Sequence, residues 1–431
     1  MYLHDVHTYG AAGDGTTNDT AAIQQAIDAC SAGGGGTVRF PGGRYLAGQL
    51  YLKSGVELRI EPAATLLAVP DPAAYADDTH HQRYDYHDNM NRAWMYAQNA
   101  QNIRITGGGR IDGQSPLFAN GAGNPRPVMF RFLDCEQLVL SDLVLRDSAT
   151  WATSFIRCRR IRATGLDIAT RGNHNGNGLV FDACEDVAVS DCRLDTSDDA
   201  ICLQSSDREV PCRRITVTNC TASSHYAAIK IGMLSLGVIE DVAVSNCVFH
   251  DLGCSGVKIQ SAEGGTIRNL LFSGLVMRNA PRPVFVTLNH HRVGRYTPPV
   301  PDRTGAVSNL RFENLLVVNE TEPEGDPVSG FIVDGTPGHP IRDVSFHGIR
   351  YEAVGGGAAW PGNKTVPTLE GVRAERHAYT DGLPASAFFI RHAAGVTIDR
   401  FDPAHRKHDA RPLLWSADVA RLSWTAPQTA P

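Results

Sequence analysis

The sequence has few aromatic residues, no long apolar run and no excess of basic charge. Phe, Trp and Tyr make up 7% of its 431 residues, and the formal net charge is −6. No stretch reaches the roughly 18 apolar residues that a membrane-spanning helix needs. A nucleic-acid-binding protein is expected to be basic, so the charge argues against that class. We therefore expect neither a membrane nor a nucleic acid as partner.

The first residues, MYLHDVHTYG, contain neither the basic region nor the apolar region of a signal peptide. We expect a cytoplasmic protein, or a secreted or periplasmic one whose leader has been removed. The ten cysteines form no CxxC pair, so no metal site is expected, and nothing indicates a cofactor. Most cysteines lie in or beside apolar stretches, which predicts buried free thiols and favours a reducing compartment.

One phrase, exemplified by ACEDVAVSDC, recurs along the chain. The first apolar residues of its nine copies are Ile103, Leu138, Ile161, Val187, Ile215, Val242, Leu270, Leu310 and Val344. In the middle of the chain the markers are spaced by 161−138 = 23, 187−161 = 26, 215−187 = 28 and 242−215 = 27. A repeat of this length made of short strands and turns indicates a solenoid. Cys192, Cys220 and Cys247 take the same place in successive copies, which predicts an internal stack of small residues.

The predicted fold is all-β: a single-stranded, right-handed parallel β-helix of about ten coils with an N-terminal capping helix. The helix is expected from Thr20 to Ala29, with caps at Asn18 and Asp19 and an apolar face at Ile23 and Ile27. We expect one domain over residues 1–431. Its cap and first strands occupy 1–50, its main coils 51–350, and its C-terminal coils and tail 351–431. The oligomeric state is left open.

Three insertions interrupt the repeat, at Asp71–Trp94, Asn289–Thr304 and Gly355–Pro384. They are rich in aromatic and hydrogen-bonding side chains, which is typical of loops around a sugar-binding cleft. His290 in the second insertion is a candidate substrate-binding residue.

The sequence TSDDAICLQSS places two adjacent carboxylates, Asp198 and Asp199, before an apolar strand predicted over Ala200–Leu203. In an extended strand the two side chains would point to opposite faces. Both can face one cleft only if the backbone turns at Ser197–Asp198. Paired carboxylates on one surface are what glycosidic bond hydrolysis requires. The interval from Asp198 to His225 is 225−198 = 27, which matches one repeat, and the interval from Asn177 to Asp198 is 198−177 = 21. Both His225 and Asn177 are therefore expected beside the pair.

These segments resemble glycoside hydrolase family 28, the polygalacturonase family. The stretch GAAGDGTTNDTAAIQQAIDAC is similar to the family's N-terminal cap, and DSATW to the segment before its catalytic coils. SDDAICLQSS resembles its paired-aspartate motif and SSHYAAIKIG its histidine motif, while GLPASAFFIRHAAGVTI and DARPLLW resemble bacterial members. The resemblance implies hydrolysis with inversion, with Asp198 as general acid, Asp199 helping to activate water, and His225 positioning or tuning the acid.

The sequence departs from the family at a third acidic motif and at a basic motif. Where the family has Asn-x-Asp-Gly, this chain has Asn175-Gly176-Asn177-Gly178, and an amide cannot take a proton from water. In SGVKIQS, Lys258 and Gln260 stand where the family has Arg and Lys, and the guanidinium fork that binds a carboxylate in two places is lost. Lys230 is a candidate replacement cation. Asn175, Lys230, Lys258, Gln260 and His290 are the predicted substrate-binding residues.

The leading prediction is an inverting hydrolase of pectin-type polysaccharides or oligosaccharides, galacturonan or rhamnogalacturonan-like. The weakened basic motif keeps open a β-helix hydrolase or transferase for a more neutral glycan. Asn177 keeps open a non-catalytic carbohydrate-binding relative. A lyase on the same fold needs a base for the C5 proton, commonly with calcium or an arginine, and no such cluster stands out in the sequence.

Overall fold

A computed structural model describes residues 2–79, 90–121, 123–294, 296, 299, 302–321, 330–369, 371–372, 379 and 382–427. The chain divides into two compact units, residues 1–198 and 199–431, referred to here as the N-terminal and C-terminal units. In the described part, no helix is long and apolar enough to cross a membrane. Parts of all three predicted insertions, including 80–89, lie outside the described residues.

Short strands make up most of the N-terminal unit. Its strands are β1 Tyr2–Asp5, β2 Asp14–Asn18, β3 Gly36–Phe40, β4 Gly43–Ala47, β5 Leu50–Tyr51, β6 Val56–Ile60, β7 Ala64–Ala68, β8 Ala93–Gln98, β9 Gln101–Thr106, β10 Arg110–Asp112, β11 Val128–Leu133, β12 Glu136–Ser141, β13 Val144–Arg146, β14 Thr153–Ile156, β15 Arg159–Thr164, β16 Asp167–Thr170, β17 Leu179–Asp182, β18 Glu185–Ser190 and β19 Arg193–Thr196. Its described residues also contain one α-helix, α1 Thr20–Ala32, and short 3-10 turns at Val6–Tyr9, Pro72–Ala74 and Ser115–Leu117.

The C-terminal unit continues with longer strands. They are β20 Ile201–Ser205, β21 Cys212–Thr218, β22 Thr221–Ser224, β23 Ala227–Ser235, β24 Val238–Ser245, β25 Val248–Leu252, β26 Ser255–Ser261, β27 Thr266–Ser273, β28 Val276–Arg278, β29 Arg282–Leu288, β30 Ala306–Val318, β31 Phe331–Asp334, β32 Ile341–Gly355, β33 Phe388–Lys407 and β34 Leu414–Trp424.

The pairing of the strands defines a parallel β-helix and confirms the predicted fold. In the N-terminal unit β9, β12, β15 and β18 pair in parallel, so each strand bonds to the third strand after it and one coil contains three strands. The repeat markers are direct partners: Ile103 opposite Leu138, and Leu138 opposite Ile161. In the C-terminal unit Val242 pairs with Leu270 in the same way.

Residues of one strand alternate between the interior of the coils and the outer face. Side chains at equivalent interior positions of successive coils stack on one another. The ring of Phe155 lies 5.0 Å from that of Phe132 and 5.1 Å from that of Phe181. All ten cysteines are free and buried, as predicted. In the C-terminal unit the Cys220 amide lies 3.4 Å from the Cys247 sulfur, which is the expected stack of small residues.

Helix α1 packs its buried face, which includes Ile23 and Ile27, against the first strands of the N-terminal unit. This agrees with the predicted cap, although the helix runs three residues further than expected. Asp19 takes the N-cap position without a side-chain cap bond. Its carboxylate instead accepts from the amides of Ala12 and Gly13 at 2.7 and 3.1 Å, so it ties the preceding loop to the helix.

Candidate active site

The segment between β16 and β17 carries the altered acidic motif and is held by close backbone contacts. The Thr170 hydroxyl donates to the Gly176 carbonyl at 2.6 Å, and Asn175 has a left-handed φ of 58°. A Cβ on Gly176 would lie 2.1 Å from the Thr170 carbonyl oxygen, so a side chain there would displace the backbone. Asn175 and Asn177 are 8% and 4% exposed, which makes both amides parts of a packed loop.

Asp198 follows β19 at a bend, and the bend is where the sequence predicted a turn. The Ser197 hydroxyl donates to the Asn173 carbonyl at 2.6 Å and accepts from the Gly176 amide at 2.9 Å. The Asn175 side-chain amide donates to the Asp198 carboxylate at 3.3 Å. Asp198 is half-buried. The N-terminal unit thus joins Asp198 to the altered motif through the Asn175 side chain.

Asp199, the first residue of the C-terminal unit, is buried and has a different environment. Its carboxylate accepts from the Ala227 amide at 3.1 Å and forms an ion pair with Lys230 at 2.9 Å. The two side chains of this pair are 2% and 7% exposed. Cys202 is 3.8 Å from the same carboxylate. The sequence predicted Lys230 as a cation for the substrate, but the structure places it against Asp199.

His225 lies in the turn between β22 and β23 and is exposed. It precedes by two residues Ala227, whose amide binds Asp199. A Cβ on Gly253 would lie 2.1 Å from the His225 carbonyl oxygen, so this turn packs tightly on the next coil. His225 is therefore an exposed residue of the turn that leads into Ala227, whose amide binds Asp199.

Lys258 and Gln260 lie on the outer face of β26, and each is 1% exposed. Lys230 on β23 is the direct partner of Lys258, and Gly232 is the partner of Gln260. On the other side Lys258 pairs with Phe285 of β29 and Gln260 with Thr287. Lys230 and Lys258 therefore form a buried row of two cations beside Asp199.

His290 lies just after β29 and is half-exposed, with its ring 3.7 Å from the Asp302 carboxylate. Glu263 fixes the loop that follows. This buried carboxylate accepts from the amide of Val293 at 2.7 Å and from the Tyr296 hydroxyl at 2.8 Å. Sequence reasoning missed Glu263, because nothing in the repeat distinguishes it from an exposed glutamate.

Beyond Lys258, the row of outer-face residues that runs through Lys230 and Lys258 becomes apolar, and other side chains cover it. The row continues through Phe285, Ile332 and Phe389. Packed over these residues are buried members of a later segment, namely Leu369, Tyr379, Leu383 and Ala385. The Tyr379 hydroxyl donates to Asp334 at 2.6 Å, and Arg391 binds the same carboxylate at 2.7 and 2.8 Å. The row that runs through Lys230 and Lys258 thus becomes apolar after β26, whereas the neighbouring row from Gln260 stays polar through Thr287, Asp334 and Arg391.

In the described part of the chain, no three His, Cys, Asp or Glu side chains are grouped closely enough to hold a metal ion. The side chains that the two units offer for chemistry are carboxylates, lysines, amides and a histidine. Carboxylates presented on the coils of a parallel β-helix are the groups that hydrolysis of a glycosidic bond requires.

The comparison with known families is specific. The profile of glycosyl hydrolases family 28 matches residues 30–364, and the chain belongs to this family. It is a glycoside hydrolase, and its substrate is a carbohydrate. A probable polygalacturonase from Vitis vinifera is 27% identical over 364 residues, covering 79% of this chain and 73% of that protein.

An exo-poly-alpha-D-galacturonosidase from Dickeya chrysanthemi is 25% identical over 405 residues, covering 79% of this chain and 64% of that protein. Among solved structures, the family 28 exopolygalacturonase of Yersinia enterocolitica superposes with a TM-score of 0.74 at 19% identity. The superposition covers 97% of this chain and 78% of the Yersinia enterocolitica chain. That likeness confirms the fold.

Proposed function

We propose that the protein is an inverting hydrolase of glycosidic bonds in pectin-type polysaccharides or oligosaccharides. The observation that carries this is the contrast between two consecutive carboxylates. Asp198 is half-buried and accepts an amide hydrogen bond, whereas Asp199 is buried and paired with Lys230. Two carboxylates in different environments can take the two roles of acid and base. The names of the polygalacturonase relatives support the substrate class.

In this proposal Asp198 is the general acid that protonates the leaving oxygen. Asp199 is the base that takes a proton from the attacking water on the other face of the sugar. The Asn177 side chain is an amide, so it can orient a water but cannot take the proton that Asp199 takes. The lysine beside Asp199 compensates its negative charge in a buried place, where an unpaired carboxylate is costly. His225 positions the acid or the leaving group from its turn.

The substrate contacts differ from those of a plain polygalacturonan enzyme. Lys230 is paired with Asp199, and Lys258 is the second cation of the same row. Gln260 offers an amide instead of a charge. We infer a pectic substrate with fewer carboxylates near the scissile bond, such as a rhamnose-containing chain. The same observation favours a more neutral glycan as the second candidate.

The test is a screen of polygalacturonate, rhamnogalacturonan and neutral glycans, with reducing ends and product anomer measured, the latter by proton NMR. On the best substrate, Asp198→Asn and Asp199→Asn should each lower the rate at least roughly a hundredfold, the usual scale for losing a general acid or base. Circular dichroism should show an unchanged fold.

Asp195→Asn is the matched control, because it replaces an aspartate by an asparagine in the same way. Asp195 lies on β19, where it forms an exposed ion pair with Arg171. It should keep the parent rate, since exposed pairs contribute little. Near-normal rates in both site variants, or a product with retained anomeric configuration, would contradict the proposal.

A further inference from the structure

Arg126, which precedes β11, is a buried cation that the proposed mechanism does not use. It is 0% exposed, and burial lowers the pKa of its guanidinium to about 10. Within the described residues its Nε and Nη2 have no hydrogen-bond partner, and it forms no ion pair with a carboxylate. Burying an uncompensated charge costs stability, so its presence requires an explanation.

The third nitrogen, Nη1, binds three acceptors. It donates to the Ala149 carbonyl at 2.9 Å, to the Asn173 side-chain oxygen at 3.2 Å and to the His174 carbonyl. The last two belong to the segment between β16 and β17. One buried guanidinium therefore fixes the backbone that leads directly into the altered acidic motif.

The fixed segment is in turn bonded to the residues around the proposed acid. Ser197 donates to the Asn173 carbonyl at 2.6 Å, and Asn175 donates to the Asp198 carboxylate at 3.3 Å. All of these residues belong to the N-terminal unit. Hydrogen bonds, together with the backbone of residues 173–175, thus connect Arg126 to Asp198.

We propose that Arg126 is a positioning residue for Asp198, which it acts on by holding the 173–175 segment so that the Asn175 amide faces the carboxylate. The proposal rests on the role of Asp198 as general acid given above. Because the guanidinium has no counter-ion among the described residues, it also contributes positive charge to this part of the unit.

Other titratable and charged side chains lie around Arg126 and Asp198, and they bear on the pH dependence of kcat/KM. Burial and the Arg126 charge lower the pKa of His174. Burial and Asp112 raise the pKa of Asp147, whose carboxylate would lie 2.9 Å from a Cβ built on Gly172. Asp199 follows Asp198 in the chain, and Arg171 and Asp195 form an exposed pair.

The experiment compares Arg126→Met and Arg126→Lys with the parent enzyme, measuring kcat, KM and the pH dependence of kcat/KM on the best substrate. Arg126→Met should lower kcat by roughly ten- to a hundredfold, the scale of a small misplacement of a reacting group, with little change in KM. The alkaline limb of the kcat/KM profile reports ionisation of the general acid, which is Asp198 in this proposal. This limb should move to higher pH, because loss of the cation and of the amide hydrogen bond makes Asp198 harder to ionise. Arg126→Lys keeps the charge, so its alkaline limb should stay in place.

Arg131→Met is the matched control, because Arg131 is also a buried arginine and its Nη2 donates to the Met90 carbonyl at 3.0 Å. It should lower the melting temperature without moving the alkaline limb. His174→Gln shows whether the limb belongs to the imidazole, in which case the limb disappears and the proposal is overturned. If Arg126→Met does not fold, Asn175→Ala takes its place and should move the limb in the same direction.

A folded Arg126→Met enzyme with the parent kcat and the parent alkaline limb would overturn the inference about Arg126. An unchanged limb in Asn175→Ala would do the same. If Asp198→Asn keeps the full rate, the proposed function fails instead, so the two failures are distinguishable.

Discussion

At the scale of single residues, the site is defined by how each carboxylate is compensated. Asp198 takes an amide hydrogen bond, whereas Asp199 takes a lysine and a backbone amide. The two aspartates are adjacent in the sequence, whereas Lys230 comes from the next coil of the C-terminal unit. A buried ion pair depends on both partners, since removing one leaves an uncompensated charge.

Lys230→Met should therefore destabilise the protein by about 3–5 kcal/mol, the usual cost of breaking a buried pair. The free energy of unfolding in denaturant measures it. The double variant Lys230→Met with Asp199→Asn should recover part of the loss, because the carboxylate is then neutral. Equal stability of Lys230→Met and the parent would show that the pair is not coupled.

The second prediction at this scale concerns the substrate. By the resemblance described above, Lys258 and Gln260 stand where an arginine and a lysine are expected, so binding of unmodified polygalacturonate should be weak, with a high KM. Lys258→Arg with Gln260→Lys should improve turnover of that polymer, since it restores the carboxylate-binding fork. Both positions are buried, so the melting temperature is measured beside the kinetics. High native activity on polygalacturonate, unchanged in the double variant, would contradict this.

At the scale of elements, one row of residues on the outer face of β23, β26 and β29 changes from polar to apolar within one coil. Lys230 and Lys258 are followed by Phe285, which is covered by Leu369 and Tyr379. Adjacent strands are about 4.8 Å apart, so the polar part beside Asp199 spans roughly 10 Å. That length suits only a few sugar units.

A digest of end-labelled oligosaccharides of the best substrate should therefore give labelled products of one or two lengths. The rate should level off once a few sugar units are present on the side of the scissile bond that faces Lys230 and Lys258. A chromatogram with a broad ladder of labelled products from early in the digest would show that the covered face does not limit the chain.

At the scale of the whole molecule, ten free cysteines are distributed over both units and all are buried. Burial raises the pKa of Cys30, and the Cys135 pKa is raised by its hydrogen bond with Cys158 as well as by burial. Since the thiolate is the reactive form, native thiols should react slowly.

A chromogenic disulfide reagent should thus detect fewer than about one thiol in the native protein, because only the exposed thiolate attacks it. Unfolding in denaturant without reductant should reveal all ten. Fewer than ten after unfolding would indicate disulfides, and several fast native thiols would indicate that the coils open.

The sequence by itself determined the coil repeat, because the interior of a β-helix requires an apolar residue at a fixed place in every coil. Markers such as Leu138 and Ile161 are therefore direct partners. It also determined the helix over the first strands, the buried cysteines and the acidic pair with its bend, since these are local patterns. The roles assigned to the site residues remain predictions.

Only the tertiary structure decided what surrounds those residues. Lys230 reaches Asp199 because a whole coil returns to place the two side by side, and sequence distance does not reveal that direction. Arg126 lies 48 residues from His174, whose carbonyl it holds. The Leu369 carbonyl accepts from the Asn289 side chain, which lies 80 residues earlier in the chain. Such contacts depend on loops of irregular length, which follow no period, so a sequence pattern cannot predict their partners.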